Sequence, residues 1–250
     1  MMPVKDKVVV ITGGSSGMGA ATAKLANERG AKVVIGSRNQ AKLDEMLKTV
    51  AHPENFAVQL TDVTKLTDVQ SLVNLAVEKF GQLDVLYNNA GIMPQGMVAD
   101  AEKLDEWQAI LNTNIMGVLN GISAATPIMR KQGHGLIMAT DSVAGHVVYP
   151  GSAVYNGSKY AVRAIMEGLR QEEHQNGIKT GIVSPGAVDT NLYSTVHDEK
   201  IRKQMLEGNS ANKNGWLKSE DIAEIAVFMM SQPENVDINE VLVRPTGQPI

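Results

Sequence analysis

The feature that most constrains the fold is an alternation of short apolar runs with longer helical patterns, which continues along the whole chain. The short runs are continuously apolar, as is typical of strands that are buried on both faces of a parallel sheet. They predict strands at residues 8–11, 32–35, 56–58, 85–87, 135–139, 179–183 and 240–243. The longer patterns predict helices at residues 18–29, 41–50, 67–80, 104–129, 153–174 and 219–230. Right-handed crossovers then give an α/β fold, a doubly wound seven-stranded parallel sheet with helices on both faces.

No linker, repeat or low-complexity segment interrupts this alternation, so we predict a single domain over residues 1–250. A chain of this length that is 43% hydrophobic can bury a full core. The longest stretch without a clear strand is 189–218, which is rich in glycine and asparagine and has room for a helix. We interpret this stretch as a flap over a ligand site.

Composition excludes several classes of function. The 23 basic and 27 acidic residues give a net charge of −4 without a basic cluster, so nucleic acid is not an expected partner. The chain has no cysteine, which excludes thiolate catalysis and means that redox chemistry needs a bound cofactor. The 13 methionines are scattered without a histidine or carboxylate cluster, so we expect no catalytic metal. No apolar run approaches a membrane span or a signal segment, which predicts a soluble cytoplasmic protein.

A glycine-rich turn joins the first predicted strand to the first predicted helix. Residues 12–19 read Thr-Gly-Gly-Ser-Ser-Gly-Met-Gly. Glycine permits close approach of a ligand to the backbone, and the N-terminus of the following helix favours an anion. The turn therefore predicts a site for the pyrophosphate of a dinucleotide. Its spacing, Gly-x-x-x-Gly-x-Gly, differs from the usual Gly-x-Gly-x-x-Gly, and a turn that binds nothing is the alternative.

The end of the second strand indicates which dinucleotide is bound. A carboxylate at this position reads the 2′-hydroxyl of the adenosine ribose, whereas a cation accommodates a 2′-phosphate. Here Gly36 is followed by Ser37 and Arg38, and the planar guanidinium group suits a phosphate. We therefore predict NADP(H) rather than NAD(H), the alternative being that Arg38 only solvates a loop. Asp62, after the third strand, either accepts from the adenine amino group or caps the next turn.

Four polar residues form the candidate reactive set. Tyr155 and Lys159 project from one face of a helical pattern, where an ammonium group favours the phenolate and is predicted to lower the tyrosine pKa. Ser142 follows the strand at 135–139, at the carboxyl edge where doubly wound sheets bind ligands. Asn114 lies in an apolar helical pattern and needs hydrogen-bond partners when buried, so its role could equally be structural.

These residues belong to five motifs whose order and spacing resemble the short-chain dehydrogenase/reductase family over essentially the whole chain. The motifs are the turn at 12–19, Asn88-Asn89-Ala90-Gly91, Asn114 with Gly117, Ser142 followed by Tyr155-Asn156-Gly157-Ser158-Lys159, and Ser-Pro-Gly-Ala-Val-Asp-Thr at 184–190. The resemblance implies a Rossmann-type domain that acts as a carbonyl reductase or alcohol dehydrogenase. The Ser37-Arg38 pair matches the family's NADP-preferring pattern.

The resemblance also implies a role for each matching residue. Tyr155 would exchange the proton, and Ser142 would hydrogen-bond the substrate oxygen. Lys159 would hold the nicotinamide ribose and lower the pKa of the tyrosine, and Asn114 would hold a proton-relay water. The predicted cofactor set is Gly13, Ser15, Ser16, Gly17, Met18, Gly19, Ser37, Arg38, Asp62, Val63, Asn89, Ala90, Gly91, Tyr155, Lys159, Pro185, Gly186, Val188 and Thr190.

Departures from the family pattern are few. Asp141 stands where the family often has a second serine, which alters local hydrogen bonding and leaves the catalytic hydroxyl in place. We interpret His146 as a solvated loop residue rather than a catalytic group. Residues that flank the motifs predict walls of a pocket for a fairly hydrophobic substrate, with ordinary packing as the alternative: Met93, Pro94, Gln95, Val143, Tyr149, Leu192 and Tyr193.

The sequence thus predicts hydride transfer between NADP(H) and a carbonyl or secondary alcohol carbon of a small molecule. One alternative is a regulatory protein that binds NADP(H) without turnover, which the intact reactive set argues against. Another is an epimerase or dehydratase on the same scaffold, which would need a further acid–base pair. The helical patterns at 104–129 and 153–174 are expected to pair across a two-fold axis in a homodimer or homotetramer.

Overall fold

Seven strands form one sheet in the computed structural model, which describes residues 4–210 and 215–249. All pairings between neighbouring strands are parallel. The strands are β1 (Val8–Thr12), β2 (Lys32–Ser37), β3 (Phe56–Leu60), β4 (Val85–Asn88), β5 (Gly135–Thr140), β6 (Ile178–Pro185) and β7 (Glu240–Val243). Their order is β3-β2-β1-β4-β5-β6-β7, so the chain reverses direction across the sheet between β3 and β4. The predicted fold class, a single doubly wound α/β domain, is confirmed.

Helices cover both faces of the sheet because successive strand residues point to opposite sides. The helices are α1 (Gly17–Glu28), α2 (Gln40–Thr49), α3 (Leu66–Phe80), α4 (Leu104–Ile110), α5 (Gly117–Gln132), α6 (Ala153–Glu173), α7 (Glu199–Ser210) and α8 (Ser219–Met230). Val9 and Ile11 of β1 pack in one core cluster with residues of α1, α2 and α8. Val8 and Val10 pack in another with residues of α3, α5 and α6. In the described residues no helix is both long and apolar enough to cross a membrane.

The helix predicted at 104–129 is interrupted. Between α4 and α5 the backbone forms a π-helical stretch, Leu111–Met116, and the helical path continues to Gln132. A π-helical stretch widens the turn and shifts the side chains that follow, and such stretches are frequent at functional sites. Hydrophobic periodicity cannot detect it, because the apolar face continues on both sides.

The segment predicted as a flap leaves the sheet and returns to the same place. Asp189 N donates to Leu217 O at 2.9 Å, and Leu217 N donates to Ala187 O at 3.0 Å. Between these points lie a short 3₁₀ helix, Asn191–Thr195, and then α7. The remainder of the predicted flap, residues 211–214, lies outside the described residues. The two ends of the segment thus lie side by side at the carboxyl edge of the sheet.

Candidate active site

The carboxyl ends of the central strands open into a cleft of about 910 Å³. Its lining includes nearly all the residues that the sequence predicts for cofactor and catalysis. The predicted residues that do not line it are Gly19, Pro94 and Asn114. All three are buried behind its wall.

The glycine-rich turn brings backbone close to backbone. Gly13 has a φ of +66° and donates its N–H to Gly36 O at 2.8 Å. A Cβ on Gly13 would lie 2.8 Å from the Cα of Ala90, so a side chain here would push the turn away from the loop after β4. Helix α1 begins at Gly17, and the side chain of Ser16 does not cap it. The first turn therefore has N–H groups without a side-chain cap, beside a cleft that Ser16, Gly17 and Met18 line, and these groups can donate to an anion.

Asn89 ties this turn to the neighbouring strands. Its Nδ2 donates to Thr12 O at 3.1 Å and to Gly13 O at 3.3 Å. Its Oδ1 accepts from the Thr140 hydroxyl at 3.2 Å. The carboxyl ends of β1, β4 and β5 are thereby held together at the floor of the cleft.

Two cations lie at the far end of the cleft, where β2 ends. Arg38 is exposed there, as the sequence predicts for a phosphate-binding residue, and Lys42 in the first turn of α2 joins it. Ser37 and Asn39 line the cleft beside Arg38, so the end of β2 itself carries no carboxylate; Asp62, which follows β3, is the described lining carboxylate whose charge interacts with Arg38. Lys42 is a site residue that was not predicted; the available signal was a second cation four residues after Arg38, in the first turn of the next helix.

Asp62 serves as a turn cap and still faces the cleft. One carboxylate oxygen accepts from Thr64 N at 3.0 Å and from the Thr64 hydroxyl at 2.8 Å. Burial tends to raise the pKa of Asp62, but the bonds from Thr64 and the charges of Arg38 and Lys65 outweigh it, so the pKa is lowered. The second carboxylate oxygen has room for a further donor. Capping of the turn is therefore compatible with the other predicted role of Asp62, accepting from an adenine amino group.

Tyr155, Ser142 and Lys159 meet at the centre of the cleft. Tyr155 is only 6% exposed, and its hydroxyl group is hydrogen-bonded to the Ser142 side chain. Ser142 Oγ accepts from Ala144 N at 3.1 Å, which leaves its own proton to donate. Lys159 Nζ donates to Thr140 O at 2.8 Å and lies 5.7 Å from the centre of the Tyr155 ring. The three groups therefore share one small volume above β5.

The pKa of Tyr155 differs from the sequence-based expectation. Burial raises its pKa, the hydrogen bond from Ser142 lowers it, and the charge of Asp141 raises it further. The net direction is upward, so the prediction that Lys159 lowers the tyrosine pKa is wrong for this state of the chain. Burial likewise lowers the pKa of Lys159, against the raising effect of Asp141. Desolvation outweighs the Ser142 hydrogen bond at Tyr155 and the charge of Asp141 at Lys159, because both groups are almost fully enclosed. Tyr155 is therefore held as an acid.

Asn114 lies in the π-helical stretch and is 1% exposed. Its Oδ1 accepts from Ile92 N at 3.0 Å, and its Nδ2 donates to Ile92 O at 3.0 Å and to Ser158 Oγ at 3.1 Å. Both Nδ2 protons are thus engaged within the protein. The side chain joins the loop after β4 to the helix that carries Tyr155, which is the structural role left open by the sequence.

The substrate end of the cleft is apolar and aromatic. Met93, Ala144, Tyr155 and Val196 form a buried cluster. Partly buried side chains from the loop before α6 and from the segment after β6 pack against it, namely Tyr149, Leu192, Tyr193, Ile201 and Met205. The segment after β6 is joined to this wall by a hydrogen bond of 2.9 Å from Met93 N to Thr195 Oγ1. Of the predicted pocket residues, Met93, Gln95, Val143, Tyr149, Leu192 and Tyr193 line the cleft.

The C-terminal segment also reaches the cleft, which no sequence signal indicated. Gln248 Oε1 accepts from Ala187 N at 2.9 Å and so supports the loop after β6. This contact joins residues that are 61 positions apart in the chain.

His146 does not line the cleft and is not a solvated loop residue. Its Nε2 lies 2.7 Å from Glu240 Oε1 of β7, and its side chain is 20% exposed. With Asp141, these residues bring potential metal-ligating atoms within 4.8 Å of one another. Arg163, whose guanidinium group lies 3.3 Å from Glu240 Oε2, already supplies positive charge there. A cation at this cluster would meet that charge, so we assign no metal to it.

Comparison with known proteins agrees with this geometry. Residues 7–201 match the sequence profile of a family described as short chain dehydrogenase. A protein of Staphylococcus saprophyticus named uncharacterized oxidoreductase is 48% identical over 250 residues, covering 99% of each chain. The structure of levodione reductase superposes with a TM-score of 0.85 at 27% identity, covering 96% of each chain. A 3-ketoacyl-(acyl-carrier-protein) reductase of Brucella melitensis complexed with NADH gives a TM-score of 0.84 at 28% identity, covering 96% of this chain and 98% of its own.

Proposed function

Because the chain belongs to the short chain dehydrogenase family and is an oxidoreductase of that family, we propose that it reduces the carbonyl group of a small molecule with NADPH. The observation that carries the proposal is the buried Tyr155 hydroxyl, hydrogen-bonded to Ser142 above β5, with Lys159 beside it. Ketone-dependent oxidation of NADPH by the purified protein tests it. A chain that binds NADPH but oxidises it with no ketone or aldehyde of a broad panel would contradict it.

The residues of the cleft fit a nicotinamide dinucleotide. The close approach at Gly13 and the uncapped first turn of α1 would hold the pyrophosphate. Lys159 and Tyr155 would hold the nicotinamide ribose. The nicotinamide end would lie against Pro185, Gly186, Val188 and Thr190, which line the same cleft. Bound NADPH supplies the hydride.

The protein's own groups supply the proton and orient the carbonyl. Ser142, whose oxygen already accepts from Ala144 N, donates its proton to the substrate oxygen. Tyr155 then gives its proton to the oxygen as negative charge develops there. Since the pKa of Tyr155 is raised, the phenol holds its proton and can donate it to a carbonyl oxygen. Lys159 places a positive charge beside the phenolate that the transfer leaves behind.

The cofactor preference rests on the corner at the end of β2. Arg38 and Lys42 would hold the 2′-phosphate of NADP(H), and the end of β2, where Ser37, Arg38 and Asn39 line the cleft, carries no acid to hold the 2′-hydroxyl of NAD(H). Two cations at the junction between β2 and α2 favour the binding of a doubly charged phosphate group. The adenine amino group would approach the second oxygen of Asp62.

A different reaction on this scaffold remains the second candidate. An epimerase or dehydratase would use the same phenol but return the substrate without net oxidation of NADPH. Product analysis separates the cases: a chiral alcohol formed in equal amount to the NADPH consumed supports reduction.

The lining of the cleft points to an uncharged, fairly hydrophobic substrate. In the described residues the charged members of the lining sit at the cofactor corner or beside the reactive hydroxyls, namely Arg38, Lys42, Asp62, Asp141 and Lys159. The pocket beyond Tyr155 is built from Met93, Tyr149, Leu192 and other apolar side chains. A carboxylate buried there would lose hydration, and among the described lining residues it would find no cation nearer than Lys159.

Leu192→Arg should therefore change the selectivity of the pocket. We expect the kcat/KM for a keto acid, relative to its neutral methyl ketone, to rise about tenfold, because a charge pair worth about 1.4 kcal/mol replaces an apolar contact. Leu192→Met, which keeps the volume and adds no charge, is the matched control. An unchanged ratio in Leu192→Arg would mean that Leu192 does not face the substrate.

The segment 189–218 is proposed to act as a flap over this pocket. Its apolar residues Leu192, Ile201 and Met205 pack on the buried cluster around Tyr155. The bond from Met93 N to Thr195 fastens it in the described conformation. Closing the pocket in this way excludes water from the reacting carbonyl.

A second copy of the chain is the proposed partner of an exposed apolar surface on α4, the π-helical stretch and α6. Leu104 is 65% exposed, and Leu111, Met116 and Tyr160 are also exposed. Side chains of this kind are stabilised by burial in a symmetric interface. Light scattering should give at least twice the mass of one chain, and Met116→Glu should shift the protein towards monomer. A monomer at all concentrations would refute this assembly.

A further inference from the structure

The structure contains a buried polar network directly behind Ser142 that the proposed reaction does not use. Asp141 precedes Ser142 and is 2% exposed. The Ser184 hydroxyl on β6 lies 3.3 Å from Asp141 Oδ2 and 2.8 Å from Glu240 Oε1 on β7. Two carboxyl groups thus meet at one hydroxyl group.

The hydrogen bonds of this network favour an additional proton on one of the two carboxyl groups. A serine hydroxyl has one proton to donate and can accept with its lone pairs. The shorter distance assigns that proton to Glu240, which Arg163 and His146 also contact. The contact between Ser184 and Asp141 is then a hydrogen bond only if Asp141 is protonated and donates. In addition, Asp141 Oδ1 has no hydrogen-bond partner among the described residues, which would be costly for a buried anion.

The charges around the two carboxyl groups agree with this assignment. Burial raises the pKa of Asp141 to about 6, although Lys159 of α6, Ser142, His146 and Ser184 lower it. Burial also tends to raise the pKa of Glu240, but bonds and charges from Ser184, Arg163 and His146 bring it below its usual value. Glu240 is therefore the anion of the pair, and Asp141 changes its charge near neutral pH.

Asp141 also acts on the reactive hydroxyl. Its negative charge favours the protonated form of Tyr155 and of Lys159. Gly145 closes the space beside it, since a Cβ there would overlap with the Asp141 carboxyl group. Arg163 fastens the same loop by donating to Gly145 O at 3.1 Å.

We propose that Asp141 is a positioning residue whose protonation changes within the working pH range. At the acid end of that range it is protonated and donates a hydrogen bond to Ser184. When it loses this proton, its negative charge favours the protonated form of Tyr155. The effect on catalysis rests on the proposed function, in which Tyr155 must be protonated to reduce a carbonyl. Ionised Asp141 thus keeps Tyr155 an effective acid at higher pH. The family's more frequent serine at this position would lack this effect.

The first experiment is the pH profile of kcat/KM for ketone reduction. Asp141→Asn removes the charge with little change of shape, and Asp141→Ser restores the family residue. In both variants the alkaline limb should move about one pH unit lower, which corresponds to an interaction of about 1.4 kcal/mol between Asp141 and Tyr155. Asp237→Asn is the control, because Asp237 lies 3.5 Å from Thr180 N on β6, at the strand end remote from the cleft. If kcat falls in the Asp141 variants but the alkaline limb of their pH profiles does not move, Asp141 has only a structural role and the proposal is overturned.

The second experiment does not depend on turnover. The infrared carbonyl band of a protonated carboxylic acid, taken as the difference between the wild type and Asp141→Asn, should disappear as the pH rises from about 5 to about 8. Glu240→Gln should shift that loss to lower pH by removing a neighbouring negative charge. Absence of the band at every pH would overturn the proposal even if ketone reduction is observed. If the band disappears with rising pH but no ketone is reduced, the proposed function is refuted, whereas the protonation of Asp141 is supported.

Discussion

Replacement of Tyr155 by phenylalanine should lower the kcat for ketone reduction by about 10³-fold, within the range that general acid catalysis contributes. The phenyl ring keeps the packing of Tyr155 against Met93, Ala144 and Val196. The variant loses only the hydroxyl group that Ser142 contacts and that gives its proton to the substrate oxygen. Steady-state oxidation of NADPH with a saturating ketone measures the effect.

The matched control for this prediction is Tyr160→Phe. Tyr160 lies on the same helix, α6, but is 40% exposed and does not line the cleft. It should retain wild-type kcat, NADPH affinity and thermal stability. Tyr155→Phe should still bind NADPH, as measured by its fluorescence, with a loss of affinity no larger than one hydrogen bond to the ribose contributes. Comparable turnover in Tyr155→Phe and the wild type would remove Tyr155 from the mechanism and with it the proposed reaction.

Arg38→Ala should weaken the binding of NADPH by about 30-fold and that of NADH by less than about twofold. A charge-assisted hydrogen bond to a phosphate contributes about 2 kcal/mol, and NADH lacks the phosphate that would lose it. Because Lys42 lines the same corner, the double variant with Lys42→Ala should lose more than Arg38→Ala alone. Titration of each cofactor, followed by fluorescence or calorimetry, gives the dissociation constants.

Lys48→Ala provides the control for charge. Lys48 is an exposed cation in the last turn of α2, outside the cleft lining. Its removal changes the net charge of the protein as much as Arg38→Ala does, but it should leave both dissociation constants within about twofold, as expected for a screened surface charge. If Arg38→Ala weakened NADPH and NADH equally, the phosphate-binding role of Arg38 would be refuted and the preference for NADP(H) would lose its basis.

Local patterns were sufficient for the seven strands, for most of the helices and for the fold class. The apolar run at 8–11 predicts a buried strand because a strand covered on both faces can carry only apolar side chains, and β1 forms there. The turn at 12–19 follows from its glycines, since only a residue without Cβ fits beside Ala90. Ser142, Tyr155 and Lys159 meet because each lies near the carboxyl end of β5 or on the helix that packs beside it.

Other features depend on contacts between distant parts of the chain. Nothing in residues 104–129 marks the π-helical stretch, because hydrophobic periodicity is the same for both helix types. Gln248 reaches Ala187 only because the C-terminal segment returns across the cleft. The loop containing His146 is likewise held by Glu240, which is 94 residues away.

The upward shift of the Tyr155 pKa depends on features of the fold that the sequence does not show. The spacing of Tyr155 and Lys159 determined that an ammonium group would lie near a phenol, and it does. Only the tertiary structure decided that both are enclosed and that Asp141 lies against them, so that desolvation raises the pKa of the phenol. The sequence by itself determined the fold and the identity of the groups in the site, because these depend on local periodicity and on motifs. Their protonation was decided by the folded structure, because it depends on burial and on charges brought together from β5, β6, β7 and α6.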